Sequence, residues 1–187
     1  MSPNAISVFG MIAGIAAGAT LYTTSHVDVS TASQRLLWLA SAALVQLRLL
    51  CNMLDGMVAI GSGKQSRLGE LCNELPDRVS DSFTLIGLGY AIGGNATLGW
   101  CAALLAMATA YVRAVGKAAG AGSDFSGPMA KPHRMFVVTC LCVLMTIAPT
   151  LATHRAAQST LWLIVAGCVL TLVRRTWRVT RTLRRTP

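Results

Sequence analysis

Charge is what this sequence has least of. Only 12% of its 187 residues are Asp, Glu, Lys or Arg, and just seven are acidic; a soluble domain carries about 25%. With 53% hydrophobic residues and a mean hydropathy of +0.56, the chain is built for lipid. No length is left over for a separate soluble domain. Six apolar segments, at 6–22, 36–60, 79–93, 97–115, 135–153 and 159–173, consume nearly all of it. A basic n-region is also missing: the start reads MSPNAIS, and five more apolar segments follow the first, so a cleaved signal peptide is not expected. The six cysteines form no CxxC pair and mostly sit in apolar runs, which argues against a disulfide framework or a zinc site and for small core residues. There is no P-loop, internal repeat or low-complexity tract.

Cations are the better represented sign, with a net charge of +9, and their placement argues for membrane rather than nucleic acid. Counting connections alternately, one side receives Lys64, Arg67, Arg113, Lys117, Lys131, Arg134 and six arginines of the tail; the other receives Arg35 and Arg155. Twelve against two is a strong positive-inside bias. The expected architecture is therefore all-α, a polytopic membrane protein forming a single six-transmembrane-helix bundle, with both termini and a basic tail at 174–187 on the cytoplasmic side. That tail is partly amphipathic and would lie against anionic headgroups. Gly10, Gly14 and Gly18 in the first span recur at four-residue spacing, which lets another helix approach closely.

The few acids are concentrated. Asp55, Glu70, Glu74, Asp77 and Asp81, five of the seven, fall between Asn52 and Asp81. Acidic side chains at the rim of apolar spans are expensive and mark a site by default. Arg48, Asn52 and Asp55 share one face of the second span, since offsets of four and seven return to the same side; a simple internal Arg48–Asp55 pair is the plainer alternative. After the short basic connection GSGKQSRLG, which makes spans two and three antiparallel neighbours, Glu70, Glu74, Asp77 and Asp81 form a stripe at helical spacing. Pro76 either kinks that helix or starts it. Gly56 leaves backbone open beside Asp55. Arg113, Lys117, Lys131 and Arg134 converge on the same inner surface, where they would suit a lipid phosphate. His133 lies beside them, whereas His26 and His154 belong to the outer side.

Carboxylates from two adjacent helices supply hard oxygen donors, which suit Mg²⁺ or Mn²⁺ rather than zinc. Such an ion holds phosphates together with one or two carboxylates, and a spare carboxylate can take a proton from an attacking hydroxyl.

In these residues the chain resembles the CDP-alcohol phosphotransferases (CDP-alcohol phosphatidyltransferases), whose signature is D-x2-D-G-x2-A-R-x8-G-x3-D-x3-D. Asn52, Asp55, Gly56, Ala59, Gly69, Asn73 and Asp77 fall on its spacing without a gap. Asp77-Arg78 followed by Asp81 is similar to an extension seen in some members, and Pro3-Asn4-Ala5-Ile6 to the family's start of helix one. Asn stands at the first and third aspartate positions, and Ile60 at the position of the signature arginine. The resemblance implies a membrane transferase of phospholipid synthesis. In that reading a hydroxyl acceptor attacks the phosphate of a CDP-linked donor, CDP-diacylglycerol being favoured, and CMP leaves. It further implies a metal shell of Asn52, Asp55, Asn73, Asp77 and Asp81 around Mg²⁺ or Mn²⁺, with Asp77 as the base. Nucleotide contacts are implied at Asp55, Gly56, Ala59 and Gly69, and a homodimer is common among such proteins. The alternatives are a family member that binds nucleotide or lipid without turnover, and a small cation- or proton-coupled transporter.

Overall fold

A computed structural model of the chain describes residues 3–28, 32–61, 67–150 and 155–184. Among them the long elements are all helices: α1 Pro3–Thr23, α2 Ala32–Gly61, α3 Arg67–Tyr90, α4 Ala96–Ala118, α5 Lys131–Ile147 and α6 Ala156–Leu183. Four are long and apolar enough to cross a membrane, within Asn4–His26, Ala32–Val58, Ala96–Ala118 and Ala156–Leu183. The expected count of six spans is met to that extent. α3 carries five charged residues in its first half, and α5 is only 17 residues long, shorter than the ~20 apolar residues that cross a bilayer upright.

The helix ends follow local chemistry. The Asn95 side chain accepts a hydrogen bond from the Leu98 amide at 3.0 Å and caps α4. Pro132 stands in the first turn of α5, where its missing N–H costs nothing. Of the two expectations for Pro76, a start of the helix is excluded: α3 begins at Arg67 and runs through Pro76. α6 departs from expectation, continuing unbroken to Leu183, so most of the basic tail is the last third of that helix.

α1 is the centre of the packing. It lies extensively against both α2 and α3, while α2 and α3 touch each other sparingly. The short connection made these two helices expected neighbours, yet α1 sits against both and their own backbones stay apart. The glycine stripe explains the closeness of α1: a Cβ on Gly14 would strike Ser80, and one on Gly18 would strike the carbonyl of Phe83. Thr84 Oγ1 donates to the Gly14 carbonyl at 3.2 Å across this contact. α4 packs on α3 and α6, and α5 on α2. Leu21, Trp38, Val45, Leu85, Leu88, Val138, Leu161 and Ile164 fill the interior, all essentially without exposure. Large apolar side chains such as Leu36, Leu104, Phe136, Ile147 and Val173 point outward. An apolar outer surface over a packed interior suits lipid as the solvent.

Candidate functional site

Alternating helix direction brings the start of α1, the ends of α2, α4 and α6, and the starts of α3 and α5 to one end of the bundle. The polar side chains meet there. Arg48, 2% exposed, reaches from α2 across to α3. Its Nε donates to Ser80 Oγ at 2.8 Å, and its Nη2 donates to the carbonyl oxygen and Oδ1 of Asp77, each at 3.1 Å. The same Nη2 stands 2.7 Å from Asp81 Oδ1 as an ion pair. The plainer Arg48–Asp55 pairing therefore does not form: Arg48 is spent on the neighbouring helix. Arg134, 1% exposed, takes the other Asp81 oxygen at 3.1 Å and donates to the Met129 carbonyl at 2.9 Å. Both oxygens of Asp81 thus face guanidinium groups, and Arg134 is an internal brace rather than a surface phosphate ligand.

Asp55 is held differently. Its Oδ2 accepts from Ser7 Oγ of α1 at 2.6 Å, while its Oδ1 is buried without a hydrogen-bond partner among the described residues. A small cavity of about 10 Å³ is bounded by Ser7, Arg48, Asn52, Asp55 and Asp77, room on the order of one water molecule or one ion. Asp55 and Asp77 therefore share a cavity, each contributed by a different helix.

Asn52 donates through Nδ2 to Asp77 Oδ2 at 3.2 Å. Between the two lies Lys131, the first residue of α5. Its Nζ donates to Asn52 Oδ1 at 2.5 Å and also to Asp77 Oδ2. Burial, with the nearby Arg48 guanidinium, pulls the Lys131 amine down to about 8, while Asp77 and Asp81 pull the other way.

The remaining expected residues divide. Arg113 of α4 binds Glu74 and stacks over the Phe125 ring at 4.8 Å; Arg78 closes the same acid from within α3 at 3.0 Å. Lys117 is exposed. Gly56 of α2 has open space where a Cβ would stand, so backbone is accessible beside Asp55. The side chains of Ala59, Gly69, Glu70 and Asn73 lie outside the described residues, as does all of Lys64.

Three participants gave no sequence signal. Ser7 is an unremarkable hydroxyl near the start of the first span, and Ser80 sits unnoticed between two acids. Arg175 looked like one more tail arginine, yet it is 4% exposed. It donates to the Ser126 and Thr109 carbonyls, each at 2.9 Å, which ties the α4–α5 connection to α6. Beside that connection an open groove of about 560 Å³ is lined by Asp124, Trp177, Arg178 and Arg181 among others.

A divalent ion would need hard oxygen donors. Among the described residues no three His, Cys, Asp or Glu side chains group closely enough to hold one. Two carboxylates and one amide oxygen do converge, from Asp55, Asp77 and Asn52, and the unpartnered Asp55 Oδ1 is the acceptor that a cation would satisfy. The set fits one divalent ion. Two of its oxygens are at present taken by Lys131.

Comparison with known proteins supplies the frame for this geometry. A family model described as CDP-alcohol phosphatidyltransferase matches residues 1–173. The phosphatidylinositol phosphate synthase of Mycobacteroides abscessus is 27% identical over 180 residues, covering 93% of this chain and 75% of the relative. The synthase of the same name from Mycobacterium marinum is 25% identical over 185 residues, covering 96% and 74%. Among solved structures, Mycobacterium tuberculosis phosphatidylinositol phosphate synthase in complex with manganese and citrate superposes with a TM-score of 0.78 at 23% identity, covering 96% of this chain and 83% of that one. Its form with CDP-DAG bound gives 0.77 at 23%, covering 96% and 86%.

Proposed function

The chain belongs to the CDP-alcohol phosphatidyltransferase family, and from that premise we propose an integral-membrane transferase whose working end is the polar end of the bundle, facing the cytoplasm. It moves a phosphatidyl group from a CDP-linked donor to an alcohol hydroxyl and releases CMP. CDP-diacylglycerol is the donor in this reading, supported by the similar synthase that carries CDP-DAG. An alcohol that already bears a phosphate is the acceptor. The names of the curated relatives support it, as does the excess of cations at this end, where Arg178 and Arg181 line an open groove. A concentration of one sign of charge draws in an anionic substrate.

Each residue has a task in this scheme. Asp77 takes the proton from the acceptor hydroxyl, whose oxygen then attacks the lipid-side phosphorus as the bond to CMP breaks. Asp55, Asn52 and Asp77 hold Mg²⁺ or Mn²⁺, with Asn73 a further donor by its position in the signature. Such an ion, when bound, neutralises charge on the pyrophosphate. Asp81 acts as the counter-ion that fixes Arg48 and Arg134, since both its oxygens are engaged. Gly56 leaves backbone open to the nucleotide.

The observation that carries the reading is the shared cavity of Asp55 and Asp77, with one carboxylate oxygen unpartnered. The test is CMP release by the purified protein from CDP-diacylglycerol with a panel of polyols and polyol phosphates, in Mn²⁺ or Mg²⁺. We expect release with a phosphorylated polyol, lowered about a hundredfold or more in Asp77→Asn. No release with any acceptor, or an unaltered rate in Asp77→Asn, overturns the assignment. Lys131 on the Asn52 and Asp77 oxygens would also suit a member that binds without turning over; metal-dependent binding of CDP-diacylglycerol with no CMP produced identifies that case.

A further inference from the structure

We propose that the Lys131 ammonium is a tethered competitor of the divalent ion, so that occupancy of Asn52 and Asp77 by Lys131 and by metal is mutually exclusive. The inference rests on the metal site described under the proposed function, and concerns what that site holds when no metal is there.

Three observations lead to it. The first is position. Lys131 comes from α5, yet its Nζ binds one oxygen from α2 and one from α3, Asn52 Oδ1 and Asp77 Oδ2. The backbones of these two helices scarcely meet, so a positive group is bridging the gap that a metal would bridge. The second is charge. Three carboxylates and three cations gather here: Asp77 and Asp81 pair with Arg48, Lys131 and Arg134, and Asp55 shares the small cavity with Arg48 and Asp77. The centre is neutral as it stands. A divalent ion added with Lys131 in place would leave it at +2; with Lys131 withdrawn, at +1. Like charges at contact distance in a buried site repel strongly, which favours withdrawal. The third is composition. Position 52 is an amide, whose neutral oxygen accepts from an ammonium without adding a negative charge that one lysine could not offset. The Lys131 side chain keeps 15% of its surface exposed, and four methylenes give it a way out to solvent.

Metal binding to this chain therefore carries the cost of parting Lys131 from Asp77, and removing the ammonium makes binding tighter. The experiment is direct Mn²⁺ titration by electron paramagnetic resonance on the purified full-length protein in detergent, compared with Lys131→Met. Close charge pairs contribute on the order of tenfold or more to binding equilibria. We expect Lys131→Met to bind Mn²⁺ at least about tenfold more tightly. Equal or weaker binding by a variant with the wild-type gel-filtration profile overturns the proposal.

A measurement on the unaltered protein guards against a variant that does not fold. Reductive methylation read by mass spectrometry should modify Lys131 faster in saturating Mn²⁺ than in chelator, relative to the exposed Lys117. A Lys131 rate that is unchanged or slower in Mn²⁺ overturns the proposal. If CMP release depends on Mn²⁺ while neither readout responds, the transferase reading stands and the competitor falls. If neither protein binds Mn²⁺ and no CMP appears, both fall together.

Discussion

Arg48 joins two helices that otherwise barely touch. It donates to Ser80 Oγ and to both the backbone and the carboxylate of Asp77, and pairs with Asp81. Removing its charge leaves two acids with fewer partners in a buried setting, which costs about 3–5 kcal/mol when a buried pair is broken from one side. Arg48→Met should therefore lower the thermal unfolding midpoint of the purified protein markedly, by more than Lys117→Met, whose side chain is exposed. An equal shift in the two variants would contradict the bridging role. The acids at 55, 77 and 81 could be read from spacing alone, because carboxylates are rare in this chain and their helical period is plain. Their partners could not. Arg48 meets residues 29 to 33 positions away, and Ser7 meets Asp55 from 48 positions away. A hydroxyl in an apolar run carries no pattern, so nothing in the sequence separates Ser7 from any other small polar residue.

At the scale of helices, the glycine stripe of α1 was readable as a close-packing face, though not which partners it would meet. It meets both α2 and α3, and so keeps them apart. Gly18 lies so close to α3 that a Cβ on it would overlap the Phe83 carbonyl, and a Cβ on Gly87 would overlap the Gly18 backbone. Overpacking a filled interior costs about 1–3 kcal/mol even where side chains can shift, and backbone cannot shift as easily. Gly18→Leu should lower the unfolding midpoint and abolish CMP release together, since α1 also delivers Ser7 to Asp55. Retained stability with full activity would show that α1 is not the wedge. One helix boundary escaped the sequence. The arginines after Leu170 look like the end of an apolar run, yet a helix continues past such residues wherever its backbone groups remain satisfied, as α6 does.

For the whole molecule, the distribution of cations bears on the proposed orientation. Lys117 and the arginines of α6 lie at the end that carries the acids, and Arg155 at the other. The positive-inside rule supports the proposed cytoplasmic placement of the acidic end. With the native cysteines replaced by serine, a cysteine at Lys117 should react with a membrane-impermeant maleimide in inside-out vesicles, and one at Arg155 in right-side-out vesicles. The reverse pattern would invert the assignment. The stapling of the α4–α5 connection adds a consequence of its own. Arg175 holds Ser126, the Thr171 hydroxyl accepts from the Met129 amide at 3.0 Å, and Gly127 passes close against Thr171 in a conformation only glycine adopts readily. The root of Lys131 is thus moored to the last helix a few residues upstream. Its amine can swing like a boom from a fixed mast, and the speed of that swing is set by rotation about its own carbon–carbon bonds, with no rearrangement of the surrounding chain.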